Sequence, residues 1–249
     1  MHPKTDKEIK AIRESGRMLA VVRDLMAKNV VAGITTKEIA DIGRKELKSL
    51  GGEPAFLDYM GFPDIVCISV NSQVVHGIPG KYVVKPGDLI SIDFGVKYQG
   101  MITDSAVTVA AENQTSGRTR KLLKATEESL YAGIDQVKSG VKVGNISNAI
   151  EKRLRQDGLG VVEDLIGHGV GHEVHEDPEI PNYGVAGTGP VLRENMTIAI
   201  EPMATLGGKE VLVEADSWTV STTDNSLSAH FEHTILVLDQ GYEVLTSSS

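Results

Sequence analysis

The sequence predicts an α+β fold built as two related halves, and three observations carry that prediction. Segment 30–51 repeats as segment 137–158, strand-like runs follow each copy, and a strand of each copy ends in a carboxylate. A repeat constrains architecture before any single element does. Val30-Val31-Ala32-Gly33-Ile34 falls on Val137-Lys138-Ser139-Gly140-Val141, Ile39 meets Ile146, Leu47 meets Leu154 and Gly51 meets Gly158. Each copy reads as a helix end, a turn through Gly, then an amphipathic helix stopped by Gly. Ile90-Ser91-Ile92-Asp93 then resembles Ile198-Ala199-Ile200-Glu201, and His-Gly precedes each, as His76-Gly77 and His168-Gly169. The halves run from about 5 to 110 and from 118 to 240. No low-complexity linker separates them, so residues 1–249 are expected to form one domain.

The elements follow in order. Thr5-Asp6-Lys7-Glu8 and Thr35-Thr36-Lys37-Glu38 fit capping boxes, in which Thr and Glu side chains satisfy free backbone N–H groups. Ile9, Ile12, Leu19, Val22 and Met26 then form a helical stripe. A further helix is expected over 118–137, with Leu122, Leu123, Leu130 and Ile134 inward. Strands are expected over 65–70, 89–96, 103–110, 196–201, 210–214 and 231–238. The tail Thr246-Ser247-Ser248-Ser249 is expected to fray.

Composition narrows the function. Of 249 residues, 41% are hydrophobic and 24% charged, a globular balance, and with aromatics at 4% the core must rest on aliphatic residues. A net charge of -9 argues against a nucleic-acid partner. Cys67 is the single cysteine, which rules out an intrachain disulfide and suits a reducing compartment. The start carries no apolar run like a signal peptide, and no stretch is long enough to span a bilayer. A cytoplasmic location is therefore expected.

The chemistry concentrates in acids set among apolar strand residues. A hairpin turn near Tyr98-Gln99 would pair 97 with 100 and place Asp93 opposite Asp104 on one face. Facing like charges destabilise a sheet, and uncompensated buried carboxylates are costly, so a divalent cation would relieve both penalties. Solvated acids on an exposed face are the plain alternative for this pair alone. The repeat adds Glu201 at the place of Asp93. Glu232 enters another apolar strand, and His168 lies in Gly167-His168-Gly169-Val170-Gly171. Four carboxylates and one imidazole can hold two ions such as Mn, Fe(II), Co or Zn, a set unlike a thiolate-rich structural zinc site. Two metals would activate water and polarise a carbonyl for hydrolysis.

Other motifs carry less. His168-Gly169-Val170-Gly171-His172 has the outline of a zinc-protease helix, but Gly169 stands where the Glu is needed and two glycines disfavour helix. The same stretch has the wrong spacing for a dinucleotide loop. Cys67 reads as a buried hydrophobe. Glu127-Glu128 reads as a solvated helix face, and His172, His230 and His233 as structural or solvated.

In these residues the chain resembles the methionine aminopeptidases of the bacterial type I class. The resemblance rests on Asn71-Ser72-Gln73-Val74-Val75-His76-Gly77-Ile78-Pro79, Ile92-Asp93-Phe94-Gly95 with Thr103-Asp104, Gly167 to Gly171, Ile200-Glu201-Pro202, and Ser226 to Thr234. It covers nearly the whole chain in order. It implies the pita-bread fold, two related halves bracketing a dinuclear site. It makes Asp93, Asp104, His168, Glu201 and Glu232 the metal ligands, with Asp104 and Glu232 bridging and Glu201 also moving the proton of the attacking water. It assigns His175 to the substrate carbonyl and the oxyanion, and His76 to the scissile amide or leaving nitrogen. Tyr59, Phe62, Cys67 and Trp218 match the methionine side-chain pocket, where a thioether packs well against rings. Phe56, Phe62 and Val174 depart from frequent family residues, which puts strict methionine preference in question. Asn71 and Ser228 match positions near a monovalent-cation site. The implied activity is removal of the initiator methionine from nascent proteins, favouring a small second residue, by a monomer in transient contact with the ribosome. X-Pro peptidases of the same fold usually carry an extra N-terminal domain. A pseudoenzyme would have lost ligands, and all five are present.

Overall fold

The structure is a computed structural model that describes residues 3–248. The first half comprises α1 (Asp6–Lys28), α2 (Thr36–Leu50), β1 (Glu53–Pro54), β2 (Val66–Val70), β3 (Gln73–Val75), β4 (Leu89–Tyr98) and β5 (Met101–Ala110). The second opens in the same way, with α3 (Gly117–Ile134), α4 (Val143–Gln156), β6 (Gly160–Val161), β7 (Gly167–Gly169), β8 (Glu176–Ile180) and β9 (Thr197–Ile200). It continues through β10 (Met203–Thr205), β11 (Val211–Val213), β12 (Val220–Thr222), β13 (Ser228–His230), β14 (His233–Val237) and β15 (Tyr242–Val244). The repeat is visible in the pairing. Strand β4 lies between β2 and β5, and β9 lies between β7 and β14, all antiparallel.

Local chemistry explains the helices. Both capping boxes form, with Thr5 and Thr35 as caps and Glu8 and Glu38 returning to them. Each cap contributes about 1 kcal/mol. Gly51 ends α2 in the left-handed region at φ 77°, and Gly158 follows α4 at φ 67°, conformations that cost other residues more. All five apolar stripe residues of α1 are buried, and the helix packs on β4 and β5. Helices α3 and α4 cover the second half with Leu122, Leu130, Ile146, Ile150 and Leu154. Fully burying one such side chain stabilises by about 1.5–3 kcal/mol.

The halves join edge to edge along β5 and the β13–β14 region. Asp104 N–H donates to Thr234 Oγ1, Thr234 Oγ1 donates to Asp104 O, and Glu232 N–H donates to Ala106 O. Ser105 Oγ donates to Glu232 O, and Thr108 Oγ1 donates to His230 O. Strand β3 also crosses from the first half to pair with β12.

Two expectations are corrected. The hairpin turn is Gln99-Gly100, with φ of 49° and 83°, because a two-residue turn that follows strand twist needs positive φ at both centres. The register therefore pairs Gly95 with Asp104 and Asp93 with Ala106, leaving the two aspartates diagonal rather than opposite. The tail is not frayed at Thr246, which is buried and hydrogen-bonds His233 Nδ1, while Arg23 donates to its carbonyl. Ser249 lies outside the described residues.

Candidate metal centre

The strand registers set out the site row by row. One row across the sheets runs Cys67, Asp93, Ala106, Glu232, Glu201. Ile200 pairs with His233 and Met203 with His230, so Glu201 and Glu232 stand opposite each other between them. Pro202, which has no N–H, interrupts the ladder there and separates β9 from β10. The next row runs Gly95, Asp104, Thr234, Ala199, His168. Side chains two apart on a strand share a face, so both rows present their acids to the same side. Alanine and threonine stand between the ligand candidates, and Gly95 at the end of its row admits the Phe56 ring, 2.5 Å from where a Cβ would lie.

Asp93, Asp104, His168, Glu201 and Glu232 all line one cavity of about 150 Å³. Ligand atoms of Asp104, His168 and Glu232 lie within 4.8 Å of one another, and His168 Nε2 is 3.4 Å from Glu201 Oε1. Burial, then the charges of Asp104 and Glu201, hold the Asp93 carboxyl well above the ordinary range. Burial, then Asp104, does the same to Glu201, and burial, then Asp104, Glu201 and Asp93, to Glu232. Burial pushes Asp104 up to about 7, although its contacts with Asp93 and the Ser105 N–H partly offset this. Burial lowers His168 to about 3, which keeps its imidazole neutral and its nitrogen available as a ligand. Asp93 Oδ1, Asp104 Oδ1 and Glu232 Oε1 are inaccessible and have no hydrogen-bond partner. Buried acceptors that converge without donors fit a divalent cation, which satisfies their charge and their lone pairs together.

The rest of the cavity is apolar. Tyr59, Phe62, Cys67 and Trp218 line it, with Phe56, Met60 and Val174. Phe62 and Trp218 meet edge to face at 5.2 Å. His76 and His175 complete the lining. Tyr59 Oη is 2.9 Å from His175 Nδ1, and the His175 ring packs against that of His168 at 4.3 Å. Away from the cavity, Ser228 Oγ donates to the carbonyls of Asn71 and Gln73, bringing Asn71 and Ser228 together.

Comparison with known proteins agrees with this geometry. The family model for metallopeptidase family M24 matches residues 10–239. The chain belongs to metallopeptidase family M24. An M24 chain uses a divalent metal, which the acidic rows accommodate. The chain is 45% identical over 243 residues to methionine aminopeptidase 1 of Bacillus subtilis, covering 98% of both chains. It is 42% identical to a methionine aminopeptidase of Thermotoga maritima in a crystal structure, with a TM-score of 0.98 and full coverage of both. A prolidase from Pyrococcus furiosus matches with a TM-score of 0.80 at 23% identity, covering 99% of this chain and 66% of that one, and shows the shared pita-bread fold. No described helix of this M24 chain is long and apolar enough to cross a membrane.

Sequence reasoning missed His230. It is buried, with Nε2 3.7 Å from Glu201 Oε2 and 3.8 Å from Glu232 Oε2, so it stands beside the acids and is not solvated. Its position two residues before Glu232 on the same strand-like run was the available signal. Met60 was also missed. It is 81% exposed at the cavity rim and sits at φ 51°, in a turn that no periodicity marks. His233 is structural as expected, and exposed His172 bonds Glu8.

Proposed function

We propose that the chain removes N-terminal methionine from peptides and nascent proteins by metal-dependent hydrolysis, favouring a small second residue. The observation that carries this reading is the adjacency of five convergent ligand candidates and an aromatic, thioether-sized cavity. In this reading residues 1–249 act as one catalytic unit. Asp93, Asp104, His168, Glu201 and Glu232 would hold two divalent ions drawn from Mn, Fe(II), Co or Zn, and Asp104 and Glu232 are the residues that would serve both. When bound, such ions supply Lewis acidity and lower the pKa of water.

The chain's own residues do the remainder. Tyr59, Phe62, Cys67 and Trp218 seat the methionine side chain against rings and sulfur. Glu201 accepts and passes on the proton of the attacking water. The 2.9 Å contact between Tyr59 Oη and His175 Nδ1 suits the tautomer that carries its proton on Nε2, the donor that a developing oxyanion requires. His76, lowered by burial and then by His175, is neutral at pH 7 and serves the scissile amide or its nitrogen. A monovalent cation against Asn71 and Ser228, a monomeric state, a cytoplasmic location and a transient ribosome contact complete the reading.

The test supplies Mn, Fe(II) or Co to metal-free protein with Met-Ala-Ser and Ala-Pro-Ala peptides. Metal-dependent release of methionine from Met-Ala-Ser is expected. Cleavage of Ala-Pro-Ala alone would move the chain to X-Pro chemistry, and no cleavage despite metal uptake would refute hydrolysis of either kind.

A further inference from the structure

We propose that Lys4 is a positioning residue for His175, and that the segment leading into α1 is a strap across the turn that carries this histidine. The proposal rests on the reading of His175 as a substrate-facing donor. Lys4 belongs to no row of the metal centre, yet its side chain is only 1% exposed. Its backbone N–H donates to Asn195 O at 2.7 Å, which anchors the segment before Thr5 caps the helix. Its ammonium donates to Glu176 Oε2 at 2.7 Å. The other oxygen, Glu176 Oε1, accepts the N–H groups of His172 at 2.5 Å and Glu173 at 3.2 Å. One carboxylate thus organises the turn from Gly171 to Glu176, and His175 is its penultimate residue.

The charge on Glu176 depends on Lys4. Burial alone would raise this carboxyl, but the ammonium and then the backbone donors outweigh burial and hold it below its ordinary value. Gly171 permits the close passage. It has φ 148°, and a Cβ there would lie 2.4 Å from Lys4 Cε. Its carbonyl accepts the Ile102 N–H at 2.6 Å, so the turn of the second half is also bonded to β5 of the first. A second, exposed tie runs from His172 Nε2 to Glu8 Oε1 at 2.7 Å. The strap is continuous with α1, which packs on β4 and β5 and hence on the strands of Asp93 and Asp104. Lys4 therefore sets the height of His175 over acids contributed by the other half. A displacement on the order of 1 Å in such a donor costs up to about a hundredfold in rate.

Lys4→Met tests this in the metal-loaded enzyme. The expected result is kcat lower by about tenfold to a hundredfold, with KM within about twofold and metal content unchanged. Amide exchange should rise at His172 and Glu173 and not in α3, and Lys4→Arg should recover part of the rate. Parental kcat in folded Lys4→Met would overturn the proposal. So would a rate loss accompanied by faster exchange throughout β4, β5 and α3, which marks general destabilisation. If Lys4→Met does not fold, Glu176→Gln serves, since its amide oxygen still accepts the two backbone donors while the ion pair is gone, and parental kcat there overturns the proposal equally. His175→Ala run in parallel separates the two failures. Full turnover in His175→Ala removes the role of that histidine and the strap with it. Lost turnover in His175→Ala beside parental kcat in Lys4→Met removes the strap alone.

Discussion

At the scale of the residue, the site is a cluster of carboxylates that the fold brings together against their own repulsion. Asp104 shows the consequence. Its ordinary value is 3.8, and in the folded, metal-free chain it holds its proton up to about 7. Between those values the folded state binds a proton that the unfolded state has released. The contribution of Asp104 to the stability of metal-free protein is therefore present below about pH 4 and is lost as pH rises to about 7. Asp93, Glu201 and Glu232 shift in the same direction, whereas His168, His230 and His233, lowered from 6.5 to about 3 by burial, contribute with the opposite sign across the same window. A cation must displace these protons, so metal affinity should rise through the same window. The difference in urea midpoint between chelated parental protein and chelated Asp104→Asn at several pH values checks this, beside isothermal titration with Mn. A lead of the parental protein over Asp104→Asn that grows from pH 4 to 7 without metal would contradict it. The acids were legible in the sequence because charge inside an apolar strand demands an explanation. Lys4 was not, since one lysine before a helix cap looks like any solvated charge until the turn above it is seen.

At the scale of the element, helix stripes and caps were read correctly because they depend on neighbours within one turn. The hairpin register failed by one residue at the turn, and that error made Asp93 and Asp104 opposite when they are diagonal. Gly100 was the local signal, since glycine takes positive φ freely and a turn centred on Tyr98-Gln99 has no glycine, and the long pairing of β4 with β5 agrees with it. The facing pair belongs instead to Glu201 and Glu232, where Pro202 opens the ladder. Short strands such as β7 and β13, three residues each, carry no period to read. Helix α1 offers a test of packing against propensity. Gly16→Ala would gain about 0.5–1 kcal/mol on an exposed helix. Here a Cβ would lie 2.2 Å from the carbonyl oxygen of Leu245, whose own N–H is held by Thr234 O. The substitution should instead destabilise by about 1–3 kcal/mol. A lower urea midpoint with an unchanged slope is the expected result, and a raised midpoint would show that the chain end yields.

At the scale of the whole molecule, the duplication explains why the site lies where it does. Each half buries its own helices on its own sheet, and the edges meet through Asp104, Ser105, Ala106 and Thr108 on one side and His230, Glu232 and Thr234 on the other. Asp93 and Asp104 come from the first half, and His168, Glu201 and Glu232 from the second. In the proposed reading neither half alone holds the ligand set, so assembly of the metal centre would coincide with closure of the fold. The repeat made this architecture legible in the sequence. His230 was less legible, because its one trace in the sequence is its place two residues before Glu232. The most direct test is a crystal structure of the Mn-loaded protein with anomalous differences recorded at the Mn edge. The account predicts anomalous peaks within coordination distance of Asp93, Asp104, His168, Glu201 and Glu232, bridged by Asp104 and Glu232. Peaks at other residues, or none at these acids in enzyme that turns over, would contradict it.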